Sequence, residues 1–209
     1  MAARVDHAVT SGVFSLDGQT FDVDNNVWIV GDDTECVVVD APHDVPTILA
    51  AVAGRQVRAI LATHAHDDHV RVAPELSRAT GAPVLLHPAD RVLWDMVHPH
   101  VPPGGELGDG DTVEVAGVAL RVLHTPGHSP GACSFHAPRL GVVFTGDTLF
   151  AGGPGATGRS FSDFATIVTS IRERLLTLPP ETVAHTGHGD STTIGAEAPH
   201  LPEWLARGH

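Results

Sequence analysis

The chain has 209 residues, 42% of them hydrophobic, which is enough to bury a sizeable core without disulfide support. Twelve basic against 25 acidic residues give a formal charge of −13, a surface sign that repels phosphate backbones and argues against a nucleic-acid partner. No run reaches the length of a membrane span, and the start Met1-Ala2-Ala3-Arg4-Val5-Asp6 has no apolar leader, so a cytoplasmic protein with no membrane partner is expected. The two cysteines, Cys36 and Cys133, sit in apolar strand-like runs and read as buried, reduced thiols.

Along the chain, residues 27–31 and 36–40 read as an antiparallel pair joined by Asp32-Asp33-Thr34-Glu35. A helix over 44–53 precedes the apolar run Val57-Arg58-Ala59-Ile60-Leu61-Ala62, which has the make-up of a buried strand. A second helix over 71–80 ends at Gly81, and a strand follows at 83–87. The segment 94–103, with Trp94, Met96, His98 and His100 among prolines, reads as a loop, with a wall over the pocket and a simple core or surface loop as equal alternatives. A second half opens near Asp109-Gly110-Asp111, with strands at 112–115, 118–123, 132–136 and 141–145. Residues 161–178 form the best predicted helix. Phe164, Ile167, Val168, Ile171, Leu175 and Leu178 recur at helical spacing, Ser160 or Ser162 caps it, and Pro179-Pro180 stops it. A short helix near 201–207 completes the pattern. Two mixed halves facing each other predict a single α/β domain over residues 1–209, a four-layer α/β/β/α sandwich with pseudo-two-fold halves and its site at one edge of the sheets.

The chemistry is concentrated in Thr63-His64-Ala65-His66-Asp67-Asp68-His69, directly after the strand at 57–62. Nitrogen and oxygen donors at this density suit divalent metals, zinc first, with iron and manganese as alternatives. In a short irregular loop alternate residues point to different sides, so one segment can serve two ions. The same arrangement recurs three more times. His128 stands in Thr125-Pro126-Gly127-His128-Ser129-Pro130-Gly131, Asp147 in Gly146-Asp147-Thr148, and His188 in Gly187-His188-Gly189-Asp190. Each follows an apolar run, and each is flanked by Gly or Pro that lets the chain turn sharply.

In these four motifs, over roughly Phe21 to His188, the chain resembles the metallo-β-lactamase-fold hydrolases and, within them, the glyoxalase II-like thioesterases. The resemblance implies one metal held by His64, His66 and His128, and a second held by Asp68, His69 and His188, with Asp147 bridging the two. Asp67 falls where the family varies and is expected beside the ligands or in solvent. Two ions sharing a water lower its pKa from ~15.7 to about 7, and the hydroxide so formed attacks a carbonyl carbon. Asp147, as the bridge, and Asp68, as a ligand able to carry a proton, are the expected catalytic carboxylates. No dedicated proton donor is evident and the chain has no tyrosine, which favours a thiolate leaving group and so a small-molecule thioester.

Arg159, at the end of the glycine-rich stretch Ala151–Arg159, is the expected substrate contact. Classical glyoxalase II places glutathione contacts in a C-terminal helical extension. Only about twenty residues follow His188 here, so those contacts do not carry over, and another low-molecular-weight thiol such as mycothiol is an alternative carrier. Three other readings are weighed: a persulfide dioxygenase with one iron on His64, His128 and Asp147; a lactonase or β-lactamase; and a non-enzymatic zinc-binding module. Carrier, acyl group, native metal and oligomeric state are not legible in the sequence.

Overall fold

The computed structural model describes residues 2–208. It opens with a long β-hairpin, β1 (Arg4–Leu16) and β2 (Gln19–Gly31), in register from Arg4 opposite Gly31 to Leu16 opposite Gln19. The turn is Asp17-Gly18, both in the left-handed region at φ 52° and 73°, the conformation that a two-residue hairpin turn requires. β3 (Glu35–Val39), β4 (Gln56–Leu61), β5 (Val84–Leu86) and β6 (Gly105–Glu106) continue the sheet in the order β1-β2-β3-β4-β5-β6. From β3 onward the strands are parallel. The helices that a parallel sheet needs as crossovers are α1 (Val45–Val52), the single turn α2 (Asp67–Val70), α3 (Ala73–Thr80) and α4 (Arg91–Val97).

A second sheet has the order β14-β13-β10-β9-β8-β7. Its strands are β7 (Thr112–Val115), β8 (Val118–His124), β9 (Cys133–Ala137), β10 (Val142–Gly146), β13 (Val183–Thr186) and β14 (Thr192–Thr193), and a small ribbon, β11 (Leu149–Phe150) with β12 (Gly153–Pro154), lies apart. Helix α5 (Phe164–Ser170), the short α6 (Ile194–Glu197) and α7 (Leu201–Arg207) follow.

Side-chain alternation builds the layers. On β2 and β3, Trp28, Val30, Val37 and Val39 pack inward against Leu120, Val122, Phe135 and Phe144 of the other sheet. Their neighbours Val27, Ile29, Cys36 and Val38 pack outward against Ile48, Val52, Leu76 and Trp94. Beyond the second sheet, Val143 and Ala184 meet Ile167, Val168, Ile171, Leu175 and Trp204. Helix, sheet, sheet, helix is therefore the order, as the two-halves pattern predicts. Strands buried on both faces read as nearly continuous apolar runs, which is why most were recognisable.

Three elements differ from expectation. The hairpin begins far upstream of residue 27; its outer half is mostly exposed and its apolar alternation is confined to the short run Phe21-Asp22-Val23-Asp24. The predicted helix 161–178 starts at Phe164, where Asp163 accepts a hydrogen bond from Thr166 N at 2.7 Å and so takes the capping role from Ser160 and Ser162. It then widens into a π turn over Ile171–Leu175, with Leu176 N bonded to Ile171 O. Part of the loop expected at 94–103 is the end of α4; Trp94 is fully buried and donates to Val101 O at 2.6 Å. Cys36 and Cys133 are free and buried, and burial pushes both thiols up. Among the described residues no helix is long and apolar enough to cross a membrane.

Candidate metal centre

All the donors that the sequence singles out meet at one end of the two sheets. His64, His66, Asp68 and His69 leave β4 through a loop and the turn α2; His128 follows β8, Asp147 follows β10 and His188 follows β13. Three interlocking triads result: His64, His66 and His128; His64, His69 and Asp147; Asp68, His69 and His188, each with ligand atoms within 4.8 Å of one another. His66 Nδ1 lies 3.0 Å from both His64 Nε2 and His128 Nε2. Across the cluster, Asp68 Oδ2 is 3.2 Å from His188 Nε2. Asp147 reaches both sides, with Oδ1 3.3 Å from His69 Nε2 and Oδ2 3.6 Å from His128 Nε2 and 3.5 Å from His188 Nε2.

The outer ring nitrogens of His64, His69, His128 and His188 are held by protein groups, which turns their inner lone pairs toward the cluster, while the outer Nε2 of His66 is buried without a partner. His69 Nδ1 donates to Asp40 Oδ2 at 2.8 Å, His128 Nδ1 to Ala156 O at 2.9 Å, and His188 Nδ1 to Asp24 O at 2.7 Å. His64 Nδ1 meets Thr63 Oγ1 at 3.1 Å, a hydroxyl that itself donates to Asp40 Oδ2. Three inner nitrogens converging at 3.0 Å suit a shared cation, and the buried Asp147 Oδ1 makes no hydrogen bond. This donor set, all imidazole and carboxylate, fits divalent metal ions.

Two buried carboxylates that sequence reading missed hold the ligand loops in place. Asp40, left-handed at φ 63°, accepts from Thr63 N at 2.7 Å as well as from Thr63 Oγ1 and His69. Asp90 accepts from Ala65 N and Ser129 Oγ, both at 2.8 Å, and from Gly131 N, so it ties the His64–His69 loop to the His128 loop. Both stand at element ends, but only tertiary structure brings them to the site. Position 187 must be glycine, since a Cβ there would lie 2.2 Å from Asp147 Oδ1. The His188 loop is fastened to β2 by Asn26 N to Gly187 O at 2.8 Å and Asn26 Nδ2 to Gly189 O at 2.9 Å.

Electrostatics divide the cluster. Burial, reinforced by neighbouring histidines, pushes His64 well below the usual imidazole range and His66 to about 3, so these two imidazoles are neutral at pH 7. For His69 and His188 burial works the same way but is outweighed by Asp147 and Asp68, which raise His69 well above its ordinary value and His188 to about 10. Burial would raise Asp68 and Asp147; His69 and His188 overcome it and hold Asp68 at about 2 and Asp147 well below the carboxylate range. Without metal, then, His64 and His66 are uncharged and the other side is a protonated-histidine, carboxylate network.

A sign follows. Metal entering beside His69 and His188 must displace protons, whereas metal entering beside His64 and His66 need not. Titration of metal-free protein at pH 7 is expected to release more protons on filling the position beside His69 and His188 than on filling the one beside His64 and His66. Calorimetry in buffers of different ionisation enthalpy reads this directly; equal release at both positions would contradict it.

The remaining candidates separate clearly. Arg159 lies at the rim of a cavity of about 230 Å³ over the cluster, its guanidinium 4.8 Å from the Phe21 ring centre and 5.5 Å from that of Phe14. Those aromatics come from the hairpin that the sequence left unassigned, although Asp17-Gly18 was a usable turn signal. A larger cavity of about 570 Å³, walled by Leu93, Met96 and Val97, adjoins it through His66. Asp67 stays beside the ligands, accepting from Ser15 N at 3.0 Å and pairing with Arg71. His98 bonds Val70 O at 2.8 Å, and neither it nor His100 joins a donor group among the described residues. Cys133 is absent from the cavity lining.

The sequence model of the metallo-beta-lactamase superfamily matches residues 20–188. A probable metallo-hydrolase of Bacillus subtilis is 33% identical over 191 residues, 85% of this chain and 90% of its own length. A hydroxyacylglutathione hydrolase of Fuscovulum blasticum is 38% identical over 152 residues, 72% of this chain but 56% of that enzyme. Among solved structures, the BLEG-1 B3 metallo-beta-lactamase superposes with a TM-score of 0.79 at 28% identity, covering 93% of this chain and 99% of its own. The protein TTHA1623, solved in a di-iron-bound form, gives 0.71 at 36% identity, covering 84% and 93%.

Proposed function

Because the chain belongs to the metallo-beta-lactamase superfamily, we propose that it is a binuclear metal-dependent hydrolase of small-molecule thioesters. In this reading His64, His66 and His128 hold one ion, Asp68, His69 and His188 hold the other, and Asp147 bridges them. Two divalent ions so held supply hydroxide at neutral pH and polarise the scissile carbonyl. Zinc suits the donors, and iron, as in the di-iron relative, suits them too.

The observation that carries the substrate class is what the cavity lacks. None of the residues lining it carries a hydroxyl or a thiol, and its two carboxylates are held ionised by their histidine neighbours. Asp68, at about 2, has no proton to give at neutral pH. With the histidines engaged as metal ligands, this favours a leaving group that departs as a stable anion, as a thiolate from a thiol of pKa ~8.5 does more readily than an alkoxide. The partial match to a hydroxyacylglutathione hydrolase supports the same class. Phe14, Phe21 and Val23 exclude water from one side of the cavity, and Arg159, braced on the two rings, is placed to take an anionic group of the thiol carrier.

The test is a panel of S-acyl thioesters of glutathione, mycothiol and coenzyme A, run beside a β-lactam, a lactone and a persulfide. Chelator-sensitive turnover confined to thioesters is expected. Oxygen uptake with the persulfide, or lactam or lactone opening without thioester cleavage, would replace this reading. Arg159→Ala is expected to raise KM about tenfold at nearly constant kcat, because it removes binding shared by ground and transition states. A fall in kcat with unchanged KM would remove Arg159 from substrate anchoring.

A further inference from the structure

Asn25 lies on β2, fully buried, where the hairpin crosses the metal cluster. One terminal atom of its carboxamide, drawn as Nδ2, is 3.1 Å from Asp68 Oδ2, 3.4 Å from His69 Nε2 and 3.3 Å from His188 Nε2. These are the three donor atoms of a single triad. Their own separations are 3.3 Å between the imidazoles, 3.2 Å from Asp68 to His188 and 3.7 Å from Asp68 to His69. The four atoms are thus the corners of a nearly regular tetrahedron. The centre of a tetrahedron of that size is about 2.0 Å from each corner, the length of a zinc–nitrogen or zinc–oxygen bond.

The hydrogen bonding of the amide points the same way. One NH2 group does not suit a carboxylate oxygen and two imidazole nitrogens together, and the carboxamide oxygen on the far side is buried with no partner. A half-turn of the terminal torsion exchanges the two atoms and sets the oxygen at the fourth corner. A buried amide oxygen without a hydrogen bond is costly, and a cation satisfies it.

We propose that Asn25 is a ligand of the second metal centre, presenting its carboxamide oxygen to the ion beside Asp68, His69 and His188. The inference rests on the two-metal reading above. It makes the second centre harder than the first, with a carboxylate and a carbonyl-type oxygen where the first has imidazoles. It also explains why a side chain from the hairpin, far from every histidine motif in sequence, is buried at the heart of the cluster.

The test compares full-length wild type with Asn25→Ala and Asn25→Asp. Zinc affinity at each position is measured by competition with a chromophoric chelator, and the visible spectrum of the cobalt-substituted protein reports coordination. Asn25→Ala is expected to weaken the second ion about tenfold or more, to leave the first unchanged and to alter the cobalt bands of the second. Asn25→Asp, which keeps an oxygen and adds charge, is expected to hold the second ion at least as tightly as wild type. Unchanged second-ion affinity in Asn25→Ala overturns the inference. So does equal weakening in Asn25→Asp, the result for an amide that only donates to Asp68. If Asn25→Ala does not fold, Asn25→Asp decides alone. A wild-type chain that binds a single ion would overturn the two-metal reading itself, whereas two ions held unchanged in Asn25→Ala overturn this inference alone.

Discussion

Asp147→Ala is expected to lower kcat/KM for a thioester by about a thousandfold or more, equivalent to roughly 4 kcal/mol of lost transition-state stabilisation. The carboxylate is the only group whose two oxygens approach both sides of the cluster, His69 through Oδ1 and His128 and His188 through Oδ2. In the proposed two-metal centre, losing it would remove a ligand from each ion and the negative charge that offsets them. Metal content should fall together with activity, which distinguishes loss of the centre from loss of a proton carrier. The fold should persist, since the side chain sits at the mouth of the sheets and its removal opens space beside Gly187 and leaves the packed layers intact. Circular dichroism checks the fold, and steady-state kinetics with metal analysis checks the rest. Full metal occupancy with a drop in rate below tenfold would take Asp147 out of the bridging position.

Asp90→Ala is the largest expected effect on stability. Its carboxylate has no exposure and accepts from Ala65 N, Ser129 Oγ and Gly131 N. Truncation leaves three buried donors without an acceptor, a cost of about 3–5 kcal/mol once partial relaxation is allowed. For a chain of this size that lowers Tm by roughly 10 °C. Because the same carboxylate joins the loop of His64 and His66 to the loop of His128, metal affinity should drop at temperatures where the variant is still folded, by about 10–100-fold. Burial raises the Asp90 carboxyl above its usual value while these hydrogen bonds oppose the rise. Because the folded-state pKa is raised, the group's titration favours the fold below its unfolded pKa, and that advantage is lost as pH rises through the raised value. Thermal melts across mildly acidic pH read both effects; a variant as stable as wild type would show that water replaces the carboxylate at no cost.

How far the site was legible follows from where each residue lies. His64, His66, Asp68, His69, His128, Asp147 and His188 all stand just beyond apolar runs, among glycines and prolines, so their place at strand ends could be read locally. Asp40, Asp90, Asn25, Phe14 and Phe21 reach the same site from strands and helices that carry no metal motif. Nothing short-range marks them, because their role arises only when β2, β3 and α4 pack beside the ligand loops. Residues 27–31 are recognisable by burial on both faces; the hairpin's outer half is mostly exposed and offers only the short alternation of Phe21 and Val23, with Asp17-Gly18 signalling its turn. The helix at 161–178 was read too long, since apolar spacing says nothing about which side chain wins the N-cap, and Asp163 wins it.

The central claim is that two divalent ions sit on this donor set and serve thioester cleavage. Metal content per chain, measured on protein purified without chelator and assayed in the same preparation, tests it most directly. About two ions per chain, with thioester turnover that falls in proportion when they are stripped and returns when they are restored, is the predicted result. About one iron per chain, with oxygen consumed from a persulfide and no thioester cleaved, would contradict it.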